Sequence, residues 1–126
     1  MTAEAAKPPC VWITGASSGI GAALACELAA RGYVVAATAR NEGALEELAD
    51  TMANIHIFAG DITDRAGMAT IVEGIENDLG PIDIAVLNAG IYLPTNFPEF
   101  DAAIFDRSFA VHLGGTVNCL APLVPL

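Results

Sequence analysis

A glycine-rich turn narrows the choice of folds for this chain more than any other feature. An apolar run precedes it, Cys10 to Thr14, which predicts a strand buried on both faces. The turn glycines are Gly15, Gly19 and Gly21. Apolar residues then recur every four positions, which predicts a helix with one apolar face, at Ile20, Leu24 and Leu28. The segment therefore predicts a strand, a tight turn and a helix that ends at Gly32.

The same alternation continues along the chain. Further strands are predicted at Tyr33 to Thr38, Ile55 to Phe58 and Ile82 to Leu87. Asn41 is a candidate N-cap for a second helix, whose apolar stripe is Leu45, Leu48 and Met52. Thr63 or Asp64 can cap a third helix, whose face is Met68, Ile71, Val72, Ile75 and Leu79. A mostly helical region follows from about Phe100.

This order of elements predicts an α/β domain. Strands that alternate with helices form a parallel sheet with right-handed crossovers and helices on both faces. Its 126 residues are enough for one domain with one core. We expect residues 1–126 to form a single domain.

Charge and composition exclude several classes of function. The formal net charge of −10 disfavours nucleic acid as a partner, so any phosphate site must be local. Three widely spaced cysteines, Cys10, Cys26 and Cys119, predict reduced thiols and no metal site. Met1 to Pro9 lacks the apolar core of a signal peptide, so a cytoplasmic location is expected. The uncharged stretch 110–126 predicts a buried or interface helix and no membrane span.

The glycine turn is a candidate phosphate site. Glycine allows a tight exit from the strand and a close approach of backbone to pyrophosphate. The N–H groups and positive dipole at the start of the helix favour an anion. Ser17 and Ser18 add hydroxyl donors. A tight turn without a ligand is the alternative, but the predicted strand before it and helix after it favour binding.

Three motifs together resemble the short-chain dehydrogenase/reductase family. They are Thr14-Gly-Ala-Ser-Ser-Gly-Ile-Gly21 after the first predicted strand, Gly60-Asp61-Ile62 after the third and Asn88-Ala89-Gly90 after the fourth. The resemblance covers essentially the whole chain but only the N-terminal half of the family's domain. It implies a Rossmann-like doubly wound parallel sheet in three α/β/α layers. The strand order would be 3-2-1-4 for the part present, which would be an NAD(P)-binding domain incomplete at its C-terminus.

The resemblance assigns cofactor-binding roles residue by residue. It implies that the turn holds a pyrophosphate with Gly15, Ser17, Ser18, Gly19, Ile20 and Gly21. It also implies that Asp61 hydrogen-bonds the adenine beside the Ile62 backbone, and that the cofactor groove has a floor of Asn88, Ala89 and Gly90. Alternatively, Asp61 serves as a helix-capping or turn residue. Asn88 can stabilise its loop as well as line the groove.

The end of the second predicted strand bears on cofactor choice. NAD sites usually place an acidic residue there, but Ala39 occupies the matching position and Arg40 follows it. A guanidinium can bind a 2′-phosphate through two hydrogen bonds, so NADP(H) is expected over NAD(H). The alternative is a solvated arginine. Ser18 stands where some NADP-using relatives carry a second basic residue.

The catalytic residues of the family are not among these 126. The family uses a serine followed by a tyrosine and a lysine in a Y-x-x-x-K segment. Neither Tyr33 nor Tyr92 has a lysine four residues later, and the only lysine is Lys7. His112 stands where the family has an asparagine, and could bind water or simply be satisfied by a neighbour. No catalytic residue or metal ligand is therefore assigned, and the chain alone is expected to be inactive.

Two functions are consistent with these patterns. The first is an NADP(H)-dependent oxidoreductase of the short-chain type, represented by its cofactor-binding half, that transfers hydride between nicotinamide and a carbonyl or alcohol. The second is a non-catalytic dinucleotide-binding or interaction module. The partners expected are the dinucleotide, a small carbonyl or alcohol substrate if the chain is completed, and further copies in a homo-oligomer, because the family often uses the segment 110–126 in oligomer interfaces.

Overall fold

The protein contains a four-stranded parallel sheet flanked by helices. A computed structural model describes residues 7–94, 98 and 100–125. The strands are β1 (Cys10–Thr14), β2 (Val34–Thr38), β3 (Ile55–Ile57) and β4 (Ile84–Leu87). They lie in the order β3-β2-β1-β4, and all three pairings are parallel. The predicted fold class and strand order are confirmed, with β2, β3 and β4 slightly shorter than expected.

The helices follow the strands as predicted. They are α1 (Gly19–Ala30), α2 (Glu42–Thr51), α3 (Arg65–Leu79), α4 (Ala102–Phe109) and α5 (Gly115–Leu123), with a π-helical turn at Ala110–Gly114. Asn41 caps α2 by accepting a hydrogen bond from the Ala44 N–H at 3.0 Å. Of the two candidate caps for α3, the structure selects Asp64, which accepts from the Gly67 N–H at 3.0 Å.

Side chains on the two faces of the sheet form two separate cores. Alternate residues of β1 point to opposite faces, as strand geometry requires. Val11 and Ile13 pack in one core with residues of α1 and α2, including Ala25 and Leu45. Cys10 and Trp12 pack in the other with Met68, Ile71, Val72, Ile75 and Cys119, from α3 and α5. The sheet is therefore the middle of three layers.

The predicted apolar face of α1 is wrong at its first residue. Ile20 is 78% exposed, whereas the residues of α1 buried against the sheet are Gly21, Ala25 and Ala29. Leu24 and Leu28 are only half-buried beside them. Small residues allow the helix axis to approach the sheet closely, so α1 packs by its small side chains and leaves Ile20 at its exposed start.

The C-terminal helical segment is partly buried and partly exposed. Gly115, Asn118 and Cys119 are the buried residues of α5. The other side of the segment carries a row of exposed apolar side chains, comprising Phe105, Phe109, Leu113, Val117, Leu120 and Val124. The predicted buried or interface helix is therefore buried on one face only. No helix in the described ranges is both long and apolar enough to cross a membrane.

Candidate functional site

The glycine turn adopts a conformation that depends on the absence of side chains. Gly15 has a φ of +68°, which L-residues rarely adopt. A Cβ at Gly15 would also lie 2.7 Å from the Ala89 Cα. A Cβ on Gly21 would overlap the Gly15 carbonyl oxygen. The first turn of α1 can therefore lie directly against the strand exit.

Neighbouring strands hold this turn in place. The Ala16 N–H donates to the Thr38 carbonyl at 3.2 Å, which ties the turn to the end of β2. The Ala89 N–H donates to the Thr14 hydroxyl at 3.1 Å, and the Asn88 amide donates to the Gly15 carbonyl at 3.4 Å. Asn88 thus stabilises the loop, which is one of the two roles expected of it.

The start of α1 is exposed to solvent. Ser18 is the N-cap residue but its side chain makes no capping hydrogen bond. Ser18, Gly19 and Ile20 are all exposed, while Gly21 is buried behind them. The N–H groups of a first helical turn have no partners within the helix, and the helix dipole adds positive potential there. The end of α1 next to the turn is therefore suited to an anion.

Asp61 forms a turn of its own after β3. One carboxylate oxygen accepts hydrogen bonds from the Thr63 N–H at 2.9 Å and from the Thr63 hydroxyl at 2.8 Å. These bonds lower the pKa of Asp61 below its usual value; burial opposes them more weakly, and the positive charge of Arg40 adds the smallest lowering effect. Asp61 is therefore an anion at neutral pH, and its role as a turn residue is established.

These segments surround one cleft of about 350 Å³ at the carboxyl end of the sheet. Six of the predicted site residues line it, namely Gly15, Arg40, Asp61, Ile62, Ala89 and Gly90. Ala39, which follows β2, lines it as well. Ser17 lies in an adjacent hollow with Arg40 and Asn41. Ser18, Gly19 and Ile20 lie at the exposed start of α1, and Gly21 and Asn88 support the turn from behind.

The cleft also has a wall that sequence reasoning missed. Arg107, Ala110 and Val111 line it from α4 and the π turn, and Ile91 lines it from the loop after β4. The sequence does contain one signal for this wall: Ala110 and Val111 follow Arg107 by three and four residues, which places the three side chains on one helical face. That signal was hidden by the apolar character of the segment, which indicated an interface.

His112 contacts the loop that forms the cleft floor. Its Nε2 atom lies 2.8 Å from the Ile91 carbonyl oxygen and 3.3 Å from the Ile91 nitrogen. With a proton on Nε2, the ring donates to that carbonyl. Of the two interpretations left open by the sequence, the structure supports a histidine satisfied by its neighbour. The contact joins the π turn to the segment after Gly90.

Within the part of the chain that the structure describes, no group of metal ligands and no reactive thiol lines this cleft. Among the residues that the structure describes, no three histidine, cysteine or acidic side chains are grouped to hold a metal. All three cysteines are free, and burial raises the pKa of the Cys119 thiol to about 11. The charged groups that line the cleft are one carboxylate, of Asp61, and two guanidinium groups, of Arg40 and Arg107.

Comparison with known proteins places this geometry in a family. Residues 9–126 match the family model for short chain dehydrogenases. A glycine betaine reductase of Emericella nidulans is 38% identical over 117 residues, covering 90% of this chain and 9% of that protein. A 2,3-dihydro-2,3-dihydroxybenzoate dehydrogenase of Bacillus subtilis is 32% identical over 122 residues, covering 94% of this chain and 47% of that protein.

Solved structures agree with the sequence relatives. A short-chain dehydrogenase/reductase of Brucella melitensis superposes with a TM-score of 0.88 at 26% identity, over 93% of this chain and 51% of that chain. A 3-ketoacyl-ACP reductase of Sinorhizobium meliloti gives 0.84 at 35% identity, over 93% and 48% respectively. The chain spans about half the length of most of these relatives or less. With its parallel sheet, its glycine turn and a family match over residues 9–126, the chain belongs to the short-chain dehydrogenase/reductase family.

Proposed function

We propose that this chain is the cofactor-binding part of an NADP(H)-dependent oxidoreductase that interconverts a carbonyl compound and an alcohol. The observation that carries the proposal is the convergence of three loops on one cleft. The glycine turn, the Asp61 turn and the loop after β4 follow three different strands, yet line the same volume. Ligands of open α/β sheets bind at this edge, outside the carboxyl ends of the strands.

The residues present fit a dinucleotide. The turn at Gly15 and the exposed start of α1 offer backbone N–H groups for a pyrophosphate. The Asp61 carboxylate and the Ile62 backbone can accept from and donate to the edge of an adenine. Ala89 and Gly90 leave room along the floor because their side chains are small. Bound nicotinamide supplies a hydride donor or acceptor, and this chain's residues bind and orient it.

Arg40 supports NADP(H) over NAD(H). It lines both the main cleft and the adjacent hollow that contains Ser17 and Asn41. Its positive charge also makes a small contribution to the lowered pKa of Asp61. Ala39 in place of an acidic residue removes the repulsion that a 2′-phosphate would meet. The hollow thus offers that phosphate one cation and one serine.

A comparison of two arginine variants tests the cofactor assignment. We expect Arg40→Gln to weaken NADPH binding by about 10- to 100-fold, the loss typical of charge-assisted hydrogen bonds, and NADH binding much less. Arg31→Gln is the matched control, because Arg31 pairs with Glu27 on α1 at 2.9 Å and lines neither cavity. Cofactor fluorescence gives both affinities. An unchanged ratio of NADPH to NADH affinity in Arg40→Gln would refute the assignment.

One observation favours the alternative of a binding module for these 126 residues taken alone. Neither tyrosine is followed by a lysine at the fourth position, and Lys7 is the only lysine. We therefore expect the 126-residue polypeptide to bind NADPH without oxidising it in the presence of carbonyl compounds. The absorbance of reduced nicotinamide measures this directly, and turnover would show an acid–base group that the family pattern does not assign.

Self-association is the remaining part of the proposal. The exposed apolar row of the C-terminal helical segment runs from Phe105 to Val124, and Leu113 near its middle is 63% exposed. Contiguous apolar surface of this kind is characteristic of an interface. The partner proposed is a second copy of this chain, consistent with the homo-oligomer expected from the family.

A further inference from the structure

Arg107 lies on the cleft face of α4. The N-cap residue of this helix is Asp101, whose carboxylate accepts from the Ala103 N–H at 3.0 Å. Arg107 comes in its last turn and lines the cleft with Ala110 and Val111. Residues three and four apart share a helical face, so these three side chains form one wall. Nothing in the sequence motifs of the chain gives Arg107 a role.

Contacts of the next helix place this wall beside the Asp61 turn. The buried Asn118 amide donates to the Ile62 carbonyl at 2.9 Å and accepts from Arg65 Nε at 2.8 Å. Gly115 packs against the Ile62 side chain. Residues of α5 thus pack against the Asp61 turn, and Arg107 and Val111 before them line the same cleft as Asp61 and Ile62.

The distribution of charge makes this position unusual for the chain. Only five residues are lysine or arginine, against 15 acidic residues. Two of the five, Arg40 and Arg107, line this one cleft. An anionic dinucleotide that approaches a chain of net charge −10 meets a repulsive field. Positive charge at the cleft would therefore favour its binding there.

We propose that Arg107 contacts the adenine base of the cofactor, with its planar guanidinium group against the face of the purine. This rests on the proposed cofactor-binding function and adds a second, base-directed cation to the phosphate-directed Arg40. Asp61 and Ile62 address the edge of the base, which leaves its face for another group that lines the cleft. Guanidinium groups stack on aromatic faces and are attracted by the π-system.

The test uses a neutral probe and an anionic probe. Adenosine carries the base without phosphate, and NADPH carries both. We expect Arg107→Gln to weaken both about three- to tenfold, as for a partly exposed cation–π contact. Arg31→Gln removes the same charge away from the cleft and should leave adenosine binding unchanged. NMR titration follows adenosine and fluorescence follows NADPH; Arg107 is exposed, so the variant should fold.

Each other outcome overturns the proposal in a distinguishable way. If Arg107→Gln weakens NADPH but not adenosine, the arginine acts on phosphate or through the general field. If the parent chain binds NADPH but no adenosine, there is no base subsite of this kind. If the parent chain binds neither probe, the proposed cofactor function itself fails.

Discussion

The missing side chain of Gly21 lets α1 begin against the Gly15 carbonyl. Gly21→Ala would push a methyl group into that oxygen and to within 2.8 Å of the Asn88 amide nitrogen. We expect a loss of about 1–3 kcal/mol in the free energy of unfolding, as for overpacked cores, together with weaker NADPH binding. Urea denaturation measures the first and fluorescence the second.

Gly74→Ala on α3 is the matched control. Its new Cβ would lie 3.6 Å from Phe58, an ordinary van der Waals distance. Alanine is favoured over glycine inside a helix, so this variant should gain about 0.5–1 kcal/mol. Similar losses in both variants would show that Gly21 is not a close-approach position.

Asp61 gives the stability of the chain a pH dependence at acid pH. Its pKa in the folded chain is lower than the ordinary 3.8 because the Thr63 N–H and hydroxyl, and the charge of Arg40, favour the carboxylate. A lowered folded pKa stabilises the fold above the unfolded pKa, and this contribution is lost as pH falls through the folded pKa.

We therefore expect the difference in unfolding free energy between the parent chain and Asp61→Asn to depend on pH. The difference should be constant above about pH 5 and shrink below the ordinary aspartate pKa. Urea denaturation from pH 7 downwards provides the measurement. Parallel curves for the two proteins would contradict the lowered pKa.

The face of α1 shows where periodicity fails. The stripe at Ile20, Leu24 and Leu28 and the buried stripe at Gly21, Ala25 and Ala29 have the same four-residue spacing. Hydrophobicity favours the first stripe, but the sheet accepts the second because small residues let the backbones approach. The glycines of the turn were predictable because positive φ and close approach each demand that residue.

Among secondary-structure elements, the strands and caps were predictable and the cleft wall was not. Strand positions follow from short apolar runs; Asn41 caps α2 as expected, and Asp64, one of the two candidates, caps α3. The Arg107–Val111 wall depends on how α5 packs on α3, which is a long-range contact. Asn118 provides that contact by joining Arg65 to the Ile62 carbonyl. A single asparagine in an apolar segment does not indicate which residues it will contact, so the sequence could not predict this.

Asn118→Leu tests the connection between α5, α3 and the Asp61 turn. The change leaves the Ile62 carbonyl and Arg65 Nε without their partner, so we expect a loss of about 1–3 kcal/mol in unfolding free energy and weaker adenosine binding. Thr116→Val on the same helix is the control. Its hydroxyl only donates to the His112 carbonyl one turn earlier, and its effect should stay within about 0.5 kcal/mol. Equal effects would remove the special role of Asn118.

For the chain as a whole, the topology of the sheet was easier to predict from the sequence than the chemistry of the surface. Alternating strands and helices restrict a parallel sheet to few arrangements, and the family resemblance selects the order that is observed. Cofactor preference, substrate and association depend on exposed groups, whose identity the core does not constrain. Arg40 and the apolar row are the two surface features that allow a definite experiment.

The apolar row predicts self-association at micromolar concentration. Leu113→Glu places a charge in the middle of the row, so we expect it to shift the parent oligomer towards monomer in sedimentation velocity. Ala23→Glu introduces the same charge at an exposed position of α1 and should leave the distribution unchanged. A parent chain that sediments as a monomer would contradict the prediction.

The π turn at Ala110–Gly114 sets the rotation between the side chains that precede it and those that follow it in one helical segment. Before it, Arg107 faces the cleft, and after it, Asn118 faces Ile62. Each residue of an α-helix adds about 100° of rotation, so removing one residue here would swing α5 by roughly a quarter of a circle. The number of residues in this turn therefore fixes the rotation of α5 relative to α4. With this rotation Arg107 faces the cleft while Asn118 contacts Ile62.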